Sequence, residues 1–320
     1  MGILPSAFKA KGGPRSRAQI PEPRSRDDVV AAQYNAPGSA ADYADSHEGS
    51  GPVARYFRSR MNLVAQTLAS SPGGNLLDAG CGPGMIVREL LDSRPGDFRI
   101  TALDRSPAMV EACALRAASA SNVRALVGRV ETMPFPDASF DVVLAMGVLE
   151  YTELTAALAE IARVTRPDGL VLVTMLNPMS PYRFVEWHVY WPLLRMLRAL
   201  ETLLNVPPGR RHGPAETGIR AYRERSLRGM MAAAGFRPVN AAYFDVTLLV
   251  PPIDRLVRRW ARGWQKRPEH TISRGWRKWL GTAYMVVAHK APSPTVLPMP
   301  HSAAPNTRSQ FSSRDTTGEC

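Results

Sequence analysis

The chain has 320 residues, 45% of them hydrophobic, enough to bury a large core in one domain with appendages. No apolar run reaches the roughly 18 residues that a bilayer-spanning helix needs, and the N-terminal stretch lacks the apolar core of a secretory signal, so a cytoplasmic protein is expected. The formal charge of +12 is compatible with a nucleic acid, an anionic membrane surface or acidic substrates as partners, and equally with a surface that is merely rich in arginine. Cys81, Cys113 and Cys320 are odd in number and scattered, which argues against a disulfide framework and against a zinc site; no metal is expected.

Residues 1–28 and 291–320 are rich in Pro, Ser, Arg and Thr and poor in large apolar side chains. They cannot bury enough surface to offset the entropy of ordering, so both are expected to be disordered tails, the first of them basic. Between them, over 29–290, the pattern alternates. "NLLDA" (75–79) reads as a strand and 85–92 as a helix. "RITALD" (99–104) is a strand, followed by a helix over 106–119 with Ser106 as N-cap and Pro107 in its first position. Strands are expected again at 122–128, 140–146 and 169–176, with helical spacing at 153–165. A helix over 226–236 ends at Gly235, and 240–250 and 282–290 supply two last strands. Strands that alternate with helices, several of them apolar on both faces, predict an α/β fold: a mostly parallel sheet covered on both sides.

The glycine turn Gly80-Cys81-Gly82-Pro83-Gly84 follows the first strand. A dinucleotide fingerprint requires a glycine at the sixth position, where this chain has Met85, so the turn is G-x-G-x-G and not a pyrophosphate cradle. Asp78 lies at the end of the first strand and Asp104 closes the second, about twenty residues beyond the turn. In open parallel sheets ligands bind beyond the carboxyl ends of the strands, where an acid can accept hydrogen bonds from both hydroxyls of a ribose.

With "LLDAGCGPG", "ALDRSPAMV", "ETMPFPDASFDVVLAMGVLEY" and "ARVTRPDGLVLVTMLNP" in hand, the chain resembles the class I S-adenosylmethionine-dependent methyltransferases of the small-molecule type, over roughly residues 30–290. The resemblance implies a Rossmann-like sheet of seven strands, the last inserted antiparallel, with S-adenosyl-L-methionine as cofactor. By position, the methionine part of the cofactor would lie over the loop that contains Gly80, Cys81, Gly82 and Gly84, with Asp78 fixing its amino group. Asp104 would hold the ribose hydroxyls and Arg105 would flank the adenine. Val130 would line the adenine edge, and Met146 would approach the sulfonium. Related sequences often carry an acid where this chain has Arg129; Glu131 is the candidate to replace it, with a backbone carbonyl as the alternative. Tyr43, in the segment before the first strand that also holds Tyr34, is the candidate lid over the cofactor.

Two stretches are too long for simple connections, and cap insertions are expected at about 178–222 and 251–281. In the first, 181–206 is apolar enough to pack as a helical cap, and "NPMSPY" before it reads as a turn. In the second, 253–265 is a basic amphipathic helix, either a lid or a site of contact with an anionic membrane. All six tryptophans fall at or after Trp187, in or around these insertions. His188 and Tyr151 are the candidate catalytic groups; His212, in "PPGRRHGP", falls in an expected flexible loop. The expected function is methyl transfer to the oxygen or nitrogen of a small hydrophobic or aromatic acceptor, chiefly by proximity and orientation. The alternatives are an RNA methyltransferase, for which no nucleic-acid-binding module is evident, and a cofactor-binding scaffold without catalysis.

Overall fold

The computed structural model describes residues 26–36, 38–48, 52–207, 211, 219–247, 249–251, 253 and 275–292. Seven strands are present: β1 (Gly74–Ala79), β2 (Phe98–Asp104), β3 (Val123–Val127), β4 (Phe140–Ala145), β5 (Thr165–Leu176), β6 (Phe236–Val246) and β7 (Gly281–Lys290). They form one sheet in the order β3-β2-β1-β4-β5-β7-β6. The pairs from β3 through to β5 are parallel, and β7 lies antiparallel to both β5 and β6. The expected architecture is therefore the one observed, with β7 alone running against the rest.

The helices follow from the same alternation. α1 (Arg26–Tyr34), α2 (Ser39–Glu48) and α3 (Pro52–Leu68) precede the sheet. α4 (Met85–Ser93), α5 (Pro107–Arg116) and α6 (Leu154–Val164) connect its parallel strands. α7 (Pro181–Val185) and α8 (Trp191–Leu203) follow β5, and α9 (Glu224–Ala233) precedes β6. Successive residues of a strand point to opposite faces, so a central strand apolar throughout must feed two cores. Leu77, Val143, Val171 and Tyr284 pack on the side of α6 and α9. Their neighbours Leu76, Val142, Leu172 and Met285 pack with residues of α3 and α4 on the other side.

Two boundaries differ from expectation for a physical reason. β6 begins at Phe236 and includes Pro238, which has no N–H for a ladder. β6 is an edge strand with a register shift between Pro238 and Asn240, the setting in which a proline is tolerated. β5 begins at Thr165, earlier than its apolar run.

The first insertion departs further. Asn177 turns the chain, and Ser180 caps α7 by accepting from the Arg183 N–H. A π-turn over Glu186–Tyr190 joins α7 to α8. Arg183 and Glu186 form a buried ion pair, and Arg183 Nε donates to the Thr282 carbonyl at 3.4 Å, which fixes α7 to the start of β7. Beyond Trp191, however, α8 is largely exposed. The expectation that 181–206 packs down as a cap holds for its first turns alone, because apolar spacing reports an amphipathic helix without saying what covers it.

Several expectations lie outside the described residues: the tails expected over 1–28 and 291–320 except for residues 26–28, which open α1, and 291–292; the basic helix over 253–265 apart from Ile253; and His212, Trp260, Trp264 and Cys320. Among the described residues no helix is long and apolar enough to cross a membrane.

Candidate functional site

The strand order reverses between β1 and β4, and the chain leaves the sheet there in opposite directions. Such a switch point opens a crevice beyond the carboxyl ends of the strands. A cleft of about 660 Å³, open to solvent, occupies it. It is lined by Gly80 and Gly82 after β1, Asp104 and Arg105 after β2, Gly128 to Glu131 after β3, and the loop from Met146 to Thr152 after β4. α1 and α2 close it from above with Val30, Tyr34 and Tyr43.

The glycine turn is shaped for close approach. Gly82 has a φ of +53°, and a Cβ there would meet only a Tyr43 ring carbon at 3.8 Å, so the turn leaves room above its backbone. Gly84 is different: with φ +82°, a Cβ would lie 2.7 Å from Cys113 Sγ and 3.0 Å from Cys113 Cα, on the junction of α4 with α5. Asp104 draws the turn to the end of β2. One carboxylate oxygen accepts from the Gly82 N–H at 2.9 Å and the other from the Ser106 N–H at 2.9 Å. Burial raises the Asp104 carboxyl above its ordinary value, and the backbone donors Ser106 and Gly82 offset part of that rise. Ser106 in turn caps α5 through the Met109 N–H and donates its hydroxyl to the Tyr34 carbonyl at 3.0 Å, so the end of α1 is tied to the rim of the cleft.

Asp78 is the least ordinary group in the site. It is fully buried, paired in register with Ala102 of β2 and Leu144 of β4, and neither carboxylate oxygen has a hydrogen-bond partner. Burial pushes its carboxyl up to about 7, against the pull of the Arg60 guanidinium. A buried carboxylate without partners costs several times what a typical hydrogen bond gains. A cation or donor from outside the fold would satisfy such a group, which makes Asp78 a candidate binding residue.

A second chamber of about 390 Å³ continues from the cleft and shares Tyr34, Tyr43, Gly147 and Tyr151 with it. The Tyr34 and Tyr151 rings meet edge to face at 5.7 Å, and Tyr34 and Tyr43 at 6.4 Å, which makes the three tyrosines a wall between the two spaces. The rest of the lining is Tyr56, Phe57, Leu176 and Ile219, with two charged groups, Arg60 and Glu150. Arg60 donates to the Met146 carbonyl at 3.2 Å and lies over the Phe57 ring at 4.8 Å, and its buried Nε has no hydrogen-bond partner. Glu150 accepts from the Leu176 N–H at 3.1 Å; burial pushes its carboxyl up to about 7.

Of the residues singled out from the sequence, Tyr43, Gly80, Gly82, Asp104, Arg105, Val130, Glu131, Met146 and Tyr151 all line the cleft. Cys81 is buried beside it, with its thiol turned to the Gly82 carbonyl at 3.4 Å, and Gly84 faces Cys113. Neither lines it, and both shape the turn from below. Glu131 accepts from the Glu153 N–H at 3.3 Å and pairs loosely with Arg129 at 3.4 Å. His188 is elsewhere: it is stacked on Phe184 along the exposed helix, its Nδ1 3.1 Å from the Phe184 carbonyl. Trp187, Trp191, Trp276 and Trp279 line neither space. Arg60 and Glu150 were not foreseen from the sequence, because a charged side chain in a helix or loop is ordinarily solvated. The one available signal was that Glu150 adjoins Tyr151 at the end of an apolar strand.

Residues 77–173 match a family model described as a methyltransferase domain. A malonyl-[acyl-carrier protein] O-methyltransferase of Serratia marcescens is 41% identical over 109 residues, 34% of this chain and 40% of that protein. The chain thus spans less than half the length of that relative. A ubiquinone/menaquinone biosynthesis C-methyltransferase of Geotalea daltonii is 28% identical over 197 residues, 60% of this chain and 81% of that protein. Among solved structures, a complex between the Haloferax volcanii Trm112 methyltransferase activator and a methyltransferase matches with a TM-score of 0.51 at 20% identity, over 79% of this chain and 97% of that one. That likeness is one of fold.

Proposed function

We propose, from the match of residues 77–173 to a methyltransferase domain and from the geometry of the cleft, that this protein moves the methyl group of S-adenosylmethionine to an oxygen or nitrogen of a small apolar or aromatic acceptor. The observation that carries the reading is the partnerless Asp78 beneath a glycine turn with open space above it. That pairing suits a cofactor whose one end is a cationic amino acid. Asp78 would hold its ammonium, and Arg60, with its unbonded Nε, would hold its carboxylate. Asp104 retains lone pairs for two ribose hydroxyls after accepting from Gly82 and Ser106. Val130 and Met109 give the apolar walls that an adenine needs. When bound, the cofactor supplies a methyl already activated by its positive sulfur.

The chain's own residues then have three tasks: to orient the acceptor, exclude water and receive a proton. The chamber behind the tyrosines supports the first two, since aromatic and aliphatic side chains form most of its lining. Glu150 supports the third. A carboxyl near neutrality is matched to accepting a proton from a hydroxyl or an ammonium at physiological pH. Glu150 replaces His188 as the candidate base on grounds of position.

The test is incubation of the protein with methyl-labelled cofactor and a fractionated extract of small molecules, followed by mass detection. The reading expects a labelled product heavier by one methyl, formed by native protein and at least about tenfold more slowly by Glu150→Gln. Labelling of RNA in place of any small molecule would overturn it.

A further inference from the structure

α8 raises a question that methyl transfer does not answer. Leu193, Met196, Leu197, Leu200, Leu203 and Leu204 are all exposed, Leu203 to 77%. At helical spacing these six fall within an arc of about 120°, while Arg195 and Arg198 fall on the opposite side. A stripe of this kind exceeds what a soluble surface ordinarily carries and marks a contact. A second exposed apolar feature stands beside its base: the 3-10 turn Trp276–Leu280 contacts α7 and shows Trp276 at 81% and Trp279 at 53% exposure. Arg277 and Lys278 sit between the two indoles, with the Lys278 ammonium 5.4 Å from the Trp279 ring. Glu201 is the one acid of α8, and Glu186 at its base is consumed by the buried pair with Arg183.

We infer that the α8 stripe and the Trp276–Trp279 turn together form a docking surface for an anionic lipid bilayer. The combination of an exposed apolar helix face, exposed indoles and the cations Arg277 and Lys278 between them is suited to the boundary between headgroups and acyl chains, where tryptophan places an apolar body beside a polar N–H. Charge decides the occupant. Arg277 and Lys278 lie within the exposed Trp276–Leu280 turn itself, and the whole chain carries +12, so an anionic surface attracts this face while a second copy of the same face repels it. Position adds a consequence. β5 ends at Leu176, which lines the inner chamber, and α7 begins five residues later at Pro181. The segment that carries the stripe therefore leaves the sheet at its carboxyl edge, next to the inner chamber. A protein docked in this way would meet acceptors dissolved in the lipid.

Flotation of the full chain with vesicles tests this directly. Vesicles of phosphatidylcholine mixed with phosphatidylglycerol should carry native protein upward at low salt, phosphatidylcholine alone should carry much less, and added salt should weaken the binding. Leu193→Glu with Leu200→Glu should reduce the bound fraction at least about tenfold, as should Trp276→Ala with Trp279→Ala. All four positions are exposed, so the melting temperature should not move. Three results would overturn the inference: no flotation of native protein with anionic vesicles; a concentration-dependent dimer in sedimentation that Leu193→Glu dissociates, which assigns the face to a second copy; or a fall in melting temperature in the glutamate variant, which assigns it to another segment of the same chain. None of these outcomes bears on whether the cofactor binds.

Discussion

At Asp78, affinity and stability pull in opposite directions. Its folded carboxyl lies near 7 and its unfolded carboxyl near the ordinary value, so in the free protein it penalises the fold once the pH passes about 4, increasingly until about 7. Asp78→Asn removes that charge and keeps the shape. The expected result is a free protein more stable by roughly 1–3 kcal/mol at neutral pH, an advantage that disappears near pH 4, together with cofactor affinity lower by about a hundredfold. Thermal melts and titration calorimetry on the same samples measure both; a less stable variant that binds as before would make Asp78 a structural residue. The native protein should also bind the cofactor about tenfold more weakly near pH 6 than near pH 7.5, because a proton on Asp78 competes with the ammonium it would hold.

At the scale of elements, the glycine turn separates fold from site. Gly84→Ala drives a Cβ into Cys113 at a positive φ, between α4 and α5. It should cost about 2 kcal/mol or more and lower the melting temperature with little specific effect on affinity in the fraction that folds. Gly82→Ala has room for its methyl and should melt within a few degrees of native, yet its Cβ projects into the cleft, so affinity should fall about tenfold or more. Titration beside melting distinguishes them, and the assignment fails if the two variants behave alike. Both glycines were legible in the sequence as a turn, but only contacts tell which one faces a ligand. The strands were legible because they are apolar on both faces. Ser106 was legible as a cap because its hydroxyl precedes Pro107 at the start of a periodic run, and it does accept from Met109.

At the scale of the molecule, two charged side chains mark the limit of what one sequence tells. Arg60 sits in α3 among Arg55 and Arg58 and reads as part of a solvated face, although Arg55 is buried against Asp245 of β6 and Arg60 lines the inner chamber. Pairing across distant elements leaves no local trace in either segment. α8 shows the converse, an apolar stripe that reads as core and is exposed. The sheet order brings Asp104, Met146 and the β4 loop around one crevice, since these follow successive strand ends, while Asp78 is buried in β1 and does not line it. The inner chamber depends on Tyr34, Tyr43 and Glu150 arriving from separate parts of the chain, a closure that only the folded structure displays. Whether that crevice holds S-adenosylmethionine is decided most directly by titration calorimetry of the full chain. The expected isotherm has one site per chain with a dissociation constant on the order of micromolar, weakened at least about thirtyfold in Asp104→Ala. Absence of binding by native protein at high micromolar cofactor, or an Asp104→Ala isotherm that overlies the native one, would contradict the account.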